Sequence, residues 1–290
     1  MHMSDGSSEV SDASVAGSKV LAFYSHLAFN RHGSAQAQAA SIRKHDAIDS
    51  YPVLRPLLRR GAQVLDVGCG TGWFANGMRL RYPAAVTGID FNPAATAFAE
   101  EVAESLAVDT DFETANLFTY DPGRRFDVIT SIGALHHTGD CHGAIRRIAA
   151  DLLAPGGHFF IGLYHRHGRA PFLEHFEALR ADGADEEALF ERYRRLHPRS
   201  TDETHLRSWF RDQVLHPHET QHTLAEMLPV LSSAGLVLTS TSLNAFAPIK
   251  DLSAVLAAEP AMRDLAVQRL QQGRYFPGFF LMLVRKGSAA

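Results

Sequence analysis

The sequence predicts a doubly wound α/β sheet, because short apolar strands and helical segments alternate between residues 63 and 165. The first strand, Gln63-Val64-Leu65-Asp66-Val67, lacks polar alternation, as expected when helices cover both faces of a sheet. Glycines and a helical pattern follow it directly, and the order of strand and then helix recurs five times. This repetition predicts parallel strands joined by right-handed crossovers.

Turn and cap residues fix the individual elements. The segment from Ser34 to Arg60 has helical character, which Pro52 divides. Asn92-Pro93 begins a helix with a capping side chain and a proline at the first helical position. Pro155-Gly156-Gly157 forms the turn before the fifth strand. The predicted strands are 63–67, 86–90, 111–116, 126–131, 158–164, 236–243 and 279–284, and the predicted helices are 73–81, 93–107, 141–153, 186–196 and 223–234.

The regular alternation stops after the fifth strand. From His165 to about Gln221 the chain is polar and rich in Arg and His, with helical pieces but no strand of the central type. This insertion is too long for an ordinary connection. It leaves the fifth strand at its carboxyl end, where open α/β sheets bind ligands. We therefore predict a helical cap over that edge of the sheet.

Composition limits the classes of partner. The chain has 290 residues, 46% hydrophobic and 21% charged, as is typical of a soluble globular protein. Its net charge of −4 predicts no broad cationic surface, so nucleic acid is not an expected partner. Cys69 and Cys141 are the only cysteines, and no N-terminal stretch resembles a signal peptide or a membrane span. We expect a cytoplasmic protein with reduced thiols and no membrane partner; its oligomeric state carries no sequence signal.

The first strand leads into a glycine-rich loop. Gly68, Gly70 and Gly72 alternate in V-L-D-V-G-C-G-T-G, so the backbone can turn tightly and approach a ligand. The spacing differs from the G-x-G-x-x-G of dinucleotide folds, in which a pyrophosphate sits on a helix N-terminus. Asp90 ends the second strand roughly 20 residues later, where a carboxylate can accept both ribose hydroxyls. The pattern indicates an adenosyl ligand.

Four blocks in this order resemble the motif series of class I S-adenosylmethionine-dependent methyltransferases: D-V-G-C-G-T-G, G-I-D-F-N-P, F-D-V-I-T-S-I-G-A-L-H-H-T and L-L-A-P-G-G-H. The resemblance implies a Rossmann-like, seven-stranded sheet, mostly parallel with an antiparallel last strand. It also implies S-adenosyl-L-methionine as cofactor and a small molecule as methyl acceptor. The segments 162–169 and 208–213 are similar to stretches of uncharacterised bacterial members, which indicate no substrate.

The resemblance also implies roles for the cofactor-binding residues. Asp66 and the glycine loop would hold the methionine end, Asp90 the ribose, and Phe91 would flank the adenine. Asn116 stands where many members have an acidic residue near the adenine amino group, and it could still accept a hydrogen bond. We interpret Cys69 as a small packed residue rather than a nucleophile. The predicted cofactor-binding set is Asp66, Gly68, Cys69, Gly70, Gly72, Asp90, Phe91, Asn116, Leu117 and Ser131.

Methyl transfer from a sulfonium needs approach geometry and a dry pocket, because the cofactor already carries the activated group. A base is required only if the acceptor must lose a proton. His136 and His137 follow the fourth strand, near the region where the family places the methyl acceptor, and His137 is the preferred base. Tyr164 and His165 stand just past the fifth strand. The predicted catalytic residues are therefore His137, Tyr164 and His165.

Predicted substrate-binding residues come from the aromatic segment 23–33 and from the insertion. If a helix began near Glu219, His218 and His222 would share a face at i and i+4, which is compatible with metal binding. Histidines also serve as caps and hydrogen-bonding core groups, and we assign no metal. The predicted substrate-binding set is Tyr24, Asn30, Arg169, Trp209, Arg211, His218 and His222.

The chain thus divides into a disordered leader, a helical segment covering the cofactor, the cofactor-binding core, the cap and the remainder of the core. The respective bounds are 1–18, 19–60, 61–165, 166–221 and 222–290. Two other functions remain open, since fold does not fix reaction. One is an S-adenosylmethionine-binding enzyme with non-methyl chemistry, and the other is a non-catalytic cofactor-binding scaffold.

Overall fold

The computed structural model describes residue 23 and residues 29–288. The predicted leader 1–18 and Tyr24 lie outside the described residues. The strands are β1 Gln63–Val67, β2 Ala85–Asp90, β3 Asp111–Thr114, β4 Phe126–Ile132, β5 Leu153–Tyr164, β6 Leu236–Thr241 and β7 Phe279–Lys286.

These strands form a seven-stranded sheet in the order β3-β2-β1-β4-β5-β7-β6. Strands β1 to β5 pair in parallel, and β7 runs antiparallel between β5 and β6. The prediction of a Rossmann-like, mostly parallel seven-stranded sheet with an antiparallel last strand is confirmed. Because the parallel strands point the same way, their carboxyl ends meet at one edge.

Helices cover both faces of this sheet. The α-helices are α1 Ala35–Lys44, α2 Trp73–Arg81, α3 Pro93–Leu106, α4 Cys141–Arg147, α5 Arg166–Ala181, α6 Glu186–Arg195, α7 Glu203–Phe210, α8 Leu224–Ser233, α9 Leu252–Ala257 and α10 Ala261–Gln271. Turns of π-helix follow α4 and α7, at Ile148–Leu152 and Arg211–Leu215.

Both faces of the sheet are buried, which explains the continuous apolar strands. Leu65 and Val67 belong to one hydrophobic cluster, whereas Val64, which precedes Leu65, and the helix residue Phe74 belong to the opposite cluster. The insertion has a hydrophobic core of its own. Its buried residues are Phe172, Phe176, Leu189, Phe190, Tyr193, Leu196, Leu206, Phe210 and Val214. The insertion is therefore a packed helical unit rather than a loose loop.

Several boundaries differ from the sequence prediction. Helix α1 ends at Lys44, well before Pro52, and two short 3-10 helices follow at Ala47–Ser50 and Pro52–Leu57. Asp46 caps the first of these by accepting from the amide of Ile48 at 2.9 Å, and so separates it from α1. Helices α9 and α10 were not predicted, because neither shows a strong apolar stripe.

The predicted helix 223–234 is confirmed, and the condition of an earlier helix start near Glu219 is not met. Helix α8 begins only at Leu224, with Thr223 as its N-cap in a reciprocal capping box with Glu226. His218 and His222 therefore do not share a helical face. In the part of the chain described here, no helix combines the length and apolar character needed to cross a bilayer.

Candidate active site

The glycine loop lies at the carboxyl end of β1. Gly68, Gly70 and Gly72 have φ values of 72°, 51° and 72°, a left-handed conformation that glycine adopts without strain. A Cβ at Gly68 would clash with that of Ala134, whereas one at Gly70 would meet no atom within 4 Å. The loop thus touches the segment that follows β4 and faces open space at Gly70.

Two carboxylates support this loop. Asp90 accepts from the amides of Gly70 at 3.0 Å and Asn92 at 2.9 Å, one with each oxygen. Each oxygen keeps a further lone pair for a ligand hydroxyl. Asp66 is buried and accepts from the Thr130 hydroxyl at 2.7 Å. Burial raises the pKa of both carboxyls, that of Asp66 to about 7, where the charge of Asp90 adds to the effect.

These residues fit an adenosyl cofactor with an ammonium group. Asp90 has acceptor capacity for a ribose, and a cationic group would stabilise the ionised form of Asp66. Beside Gly70, the space where a Cβ would lie contains no atom within 4 Å.

The other predicted cofactor-binding residues differ in their burial and in their hydrogen-bond partners. Phe91 is half-buried directly after β2. Asn116 is exposed, and its side-chain oxygen accepts from the Phe118 amide at 2.9 Å. Ser131 is buried and donates to the Val67 carbonyl at 2.9 Å, and Leu117 is buried in the core. Burial raises the pKa of Cys69 well above its usual value, as expected for a packed thiol.

Five side chains meet at the carboxyl ends of β4 and β5, and we call them the chamber cluster: His136, His137, Tyr164, Asp212 and His216. The ring centroids of His136 and Tyr164 lie 4.1 Å apart, and those of His137 and His216 lie 3.7 Å apart. Asp212 approaches from the π-turn after α7, with one oxygen 3.5 Å from the Tyr164 hydroxyl. The insertion therefore contributes directly to the site at the sheet edge.

His136 is the most deeply buried imidazole of the chamber cluster. It is fully buried, and neither ring nitrogen has a hydrogen-bond partner among the described residues. Burial lowers its pKa well below the usual value, so the ring is neutral. An unsatisfied buried polar group is costly and calls for an explanation. A polar ligand that completes the chamber would provide one.

The tautomer of His137 is set by its backbone partner. Its Nδ1 lies 2.9 Å from the carbonyl oxygen of His218, which can only accept. Nδ1 therefore carries the proton of the neutral ring, and Nε2 keeps its lone pair. Burial lowers the pKa of His137 to about 4, although the His218 carbonyl opposes this. The ring is thus a neutral proton acceptor at physiological pH.

His165 has a different environment. Its Nε2 lies 2.8 Å from a Glu259 carboxylate oxygen, and its Nδ1 accepts from the Gly168 amide at 3.3 Å. Glu259 also accepts from the amides of Leu224 and Ala225 at the start of α8. Both ring nitrogens are occupied, so His165 has no lone pair for an acceptor proton. Its placement corrects the expectation that His165 serves as a base.

Arg169 is wholly buried, contrary to its expected role at a substrate surface. Its guanidinium donates twice to Glu219, at 3.1 and 2.8 Å, and to the Gln213 side chain at 3.0 Å. The same group lies 4.0 Å from the centroid of the Tyr164 ring. Burial alone would raise the pKa of Glu219, but the Arg169 charge outweighs it and lowers that pKa. The Arg169 guanidinium therefore packs against the face of the Tyr164 ring.

The N-terminal segment is tied to the insertion. The Asn30 side-chain oxygen accepts from His205 Nε2 at 2.7 Å and Trp209 Nε1 at 3.0 Å. On the other side, the Thr71 hydroxyl of the glycine loop donates to the Asn30 carbonyl at 3.3 Å. Arg211 lies over the Phe23 ring, 4.8 Å from its centroid. Asn30, Trp209 and Arg211 thus hold the segment next to the loop.

His218 and His222, the two histidines predicted to bind substrate, have different hydrogen-bond partners. His218 Nε2 contacts the Thr138 carbonyl at 3.1 Å. His222 contacts the Thr220 hydroxyl at 2.9 Å and lines a surface cavity of about 450 Å³, together with His142, Arg166, Thr220, Gln221 and Glu226. Within residues 29–288, no group of three or more His, Cys, Asp or Glu side chains is arranged to hold a metal ion.

A family model described as a methyltransferase domain matches residues 39–217 of the chain. The chain belongs to this family. It is a member of the class I S-adenosylmethionine-dependent methyltransferases, whose cofactor is S-adenosylmethionine.

Curated relatives match a shorter region of this methyltransferase. Phosphoethanolamine N-methyltransferase 1 of Arabidopsis thaliana is 36% identical over 129 residues, which are 44% of this chain and 26% of the relative. The ubiquinone biosynthesis O-methyltransferase of Marinobacter nauticus is 35% identical over 114 residues, 38% of this chain and 47% of the relative. The match thus covers less than half of the length of either relative.

Solved structures share the fold over nearly the whole chain. The magnesium protoporphyrin IX methyltransferase of Synechocystis PCC 6803, solved with bound S-adenosylhomocysteine, has a TM-score of 0.51 at 14% identity, covering 97% of this chain and 98% of the other. The (4+2) cyclase SpnF has a TM-score of 0.51 at 18% identity, covering 96% and 97%. At these identities the likeness concerns the fold alone.

The raised pKa of Asp66 predicts a pH-dependent affinity for the cofactor product. If Asp66 holds the ammonium of the cofactor, as the sequence predicts, its protonated form cannot pair with that group, and binding of S-adenosylhomocysteine releases a proton below pH 7. We expect its affinity to fall by up to roughly tenfold per pH unit below the pKa of about 7, and this contribution to level off above it. Calorimetric titration of wild type and Asp66→Asn measures this. An equally steep dependence in Asp66→Asn would show that another group is responsible.

Proposed function

We propose that this methyltransferase transfers a methyl group to a proton-bearing oxygen or nitrogen of a small-molecule acceptor bound at the chamber cluster. The observation that carries this proposal is the contact of Gly68 with Ala134. It joins the glycine loop to the short turn Leu135–His137, so the cofactor loop and a buried imidazole base belong to neighbouring strand ends. The N- and O-methyltransferase relatives support both acceptor atoms.

The residues of the chamber cluster suit proton removal in a dry site. The cofactor, when bound, supplies an activated methyl group on a sulfonium sulfur. His137 Nε2 would accept the acceptor's proton, because the tautomer that His218 fixes leaves a lone pair on this buried nitrogen, which has no hydrogen-bond partner among the described residues. Tyr164 packs beside His136 and His137 and excludes water from their rings. Exclusion of water strengthens the electrostatic interactions within the site.

Closure over the site supports a small acceptor. The N-terminal segment contacts both the glycine loop, through Thr71, and the insertion, through His205 and Trp209. Such a covered site admits a small ligand more readily than a polymer. We propose that residues 29–60 and 166–221 together enclose the cofactor and the acceptor.

Asn30 provides a test of this enclosure. Asn30→Gly removes the acceptor shared by His205 and Trp209 without straining the backbone, whose φ at this position is 57°. Losing two hydrogen bonds, worth roughly 1–2 kcal/mol together, predicts that S-adenosylhomocysteine dissociates about 5 to 30 times faster. Stopped-flow displacement measures the rate. Asn30→Asp keeps the acceptor oxygen and should not accelerate release; equal rates in both variants and wild type would exclude a closing role.

The activity itself is tested with isotopically labelled cofactor. The protein is incubated with S-adenosylmethionine carrying a ¹³C methyl group and with two probes, phosphoethanolamine and a catechol. A metabolite extract serves as a broader source of acceptors. Mass spectrometry should find a labelled, methylated product that His137→Gln forms far more slowly than wild type. Tight cofactor binding without any labelled product would favour the scaffold, and consumption of the cofactor without methylation would favour other chemistry.

A further inference from the structure

Asp212 stands beside the catalytic face of His137. It is buried in the π-turn Arg211–Leu215, a kind of turn that often occurs at functional sites. One carboxylate oxygen lies 3.7 Å from His137 Nε2. The other accepts from Gln213 Nε2 at 2.8 Å and lies 3.5 Å from the Tyr164 hydroxyl. The carboxylate is therefore held in place by groups other than His137.

The relation between Asp212 and His137 depends on protonation. In the neutral ring, Nε2 presents a lone pair to the carboxylate, so the two groups make no hydrogen bond at rest. Once Nε2 gains a proton, the same two atoms become an ion pair in a buried setting. An interaction that strengthens only as positive charge develops on the imidazole lowers the free energy of the transition state and leaves that of the ground state unchanged.

We propose that Asp212 is the charge partner of His137, which stabilises the imidazolium formed when Nε2 takes the acceptor's proton. This inference rests on the proposed function. In the step, the acceptor atom forms a bond to the methyl carbon, the carbon–sulfur bond breaks with its electron pair left on sulfur, and the acceptor's proton passes to His137 Nε2. The proton then leaves to solvent, and the neutral base is restored.

Among the described residues, the charges of Glu219, Arg169 and His218 also act on His137. Arg169 and Glu219 form a buried ion pair with each other. Burial lowers the pKa of His216 to about 3, so the ring stacked on His137 is neutral. Within residues 29–288, the titratable or charged groups facing His137 are His136, Tyr164, Arg169, Asp212, His216, His218 and Glu219. Asp212 is the carboxylate of this set that forms an ion pair with the Nε2 proton.

The test replaces the charge and keeps the shape. Asp212→Asn retains an oxygen for Gln213 Nε2, and Asp185→Asn makes the same change at the exposed cap of α6 as a control. Nitrogen-15 histidine spectra of the complexes with S-adenosylhomocysteine report His137, assigned by its loss in His137→Gln. In wild type His137 should begin to protonate as the pH approaches about 4. In Asp212→Asn it should stay neutral at that pH, whereas Asp185→Asn should match wild type.

Kinetics supply the second measurement, with whichever probe is methylated. Asp212→Asn should lower kcat on its pH-independent plateau by on the order of 10- to 100-fold. It should also move the acid limb to lower pH, because a less stabilised imidazolium has a lower pKa. A purely structural role would lower kcat without moving that limb.

Unchanged titration of His137 and an unchanged kcat profile would overturn the proposal, as would a loss of cofactor affinity larger than the loss of kcat. If Asp212→Asn does not fold, the smaller Asp212→Ser repeats both measurements. The spectra need no turnover, so they decide the charge coupling even if no acceptor is methylated. Absence of methylation by wild type would refute the proposed function alone.

Discussion

Replacing His137 by glutamine is expected to lower kcat for methyl transfer by on the order of 100- to 10,000-fold, the usual contribution of a general base. Glutamine can still donate to the His218 carbonyl, so the surrounding backbone should stay in place. It has no lone pair basic enough to take the acceptor's proton. Affinity for S-adenosylhomocysteine should remain within about twofold, because the predicted cofactor carboxylates Asp66 and Asp90 take their hydrogen bonds from Thr130, Gly70 and Asn92.

His158→Gln is the matched control for this variant. His158 lies in the middle of β5, before the carboxyl end at which the chamber cluster sits, and is paired with Arg285 of β7. Its replacement should leave kcat unaltered. If His137→Gln retained wild-type kcat while His158→Gln behaved normally, the acceptor would react without a base from His137, and the role of the chamber cluster would be limited to binding.

Replacing Asp90 by alanine is expected to weaken binding of S-adenosylhomocysteine by roughly 1–3 kcal/mol, or about 5- to 150-fold in Kd. Two effects contribute: ribose hydroxyls lose their acceptor, and the Gly70 amide loses the partner that holds the loop ready. Calorimetry gives the affinity, and circular dichroism checks that the variant is folded. The core does not depend on Asp90, so the fold should survive.

Asp90→Asn separates the two effects. The amide keeps one oxygen, enough for Gly70 or Asn92 but not for both together with a ribose. We expect an affinity between those of wild type and Asp90→Ala. A folded Asp90→Ala with wild-type affinity would mean that another carboxylate holds the ribose.

Local sequence patterns predicted the core of the fold well. Strand β1 and helix α2 lie at the predicted residues, because the apolar run and the glycines that bound it act within a few neighbours. Helices α9 and α10 escaped prediction, because their partners are distant in sequence: α9 packs on the core cluster beside the sheet, and α10 packs against α5. The helix that follows the His218–His222 segment begins at Leu224 rather than near Glu219, because Thr223 and Glu226 form a capping box there.

The cofactor residues were accessible to sequence reasoning, whereas the chamber cluster was only partly so. Asp66 and Asp90 stand at fixed offsets from a glycine loop, but Asp212 meets Tyr164 across 48 residues of sequence. The segment 208–213 resembles known bacterial stretches, and that signal could have drawn attention to Asp212. No local pattern relates His165 to Glu259, 94 residues further on, which is why its ring was mistaken for a base.

The position of β7 has a consequence for how the sheet assembles. Residues 279–286 lie between β5 and β6, although β6 comes earlier in sequence. Among the described residues, strand β6 pairs only with β7, so β6 reaches the rest of the sheet through β7, whether the two strands pair with each other before or after β7 pairs with β5. Pairing of β5 with β7 joins residues more than 100 positions apart, and closing such a separation is slow. Until then the apolar edge of β5 is open, and this interval is the stage at which a folding chain of this family would be most prone to associate with another.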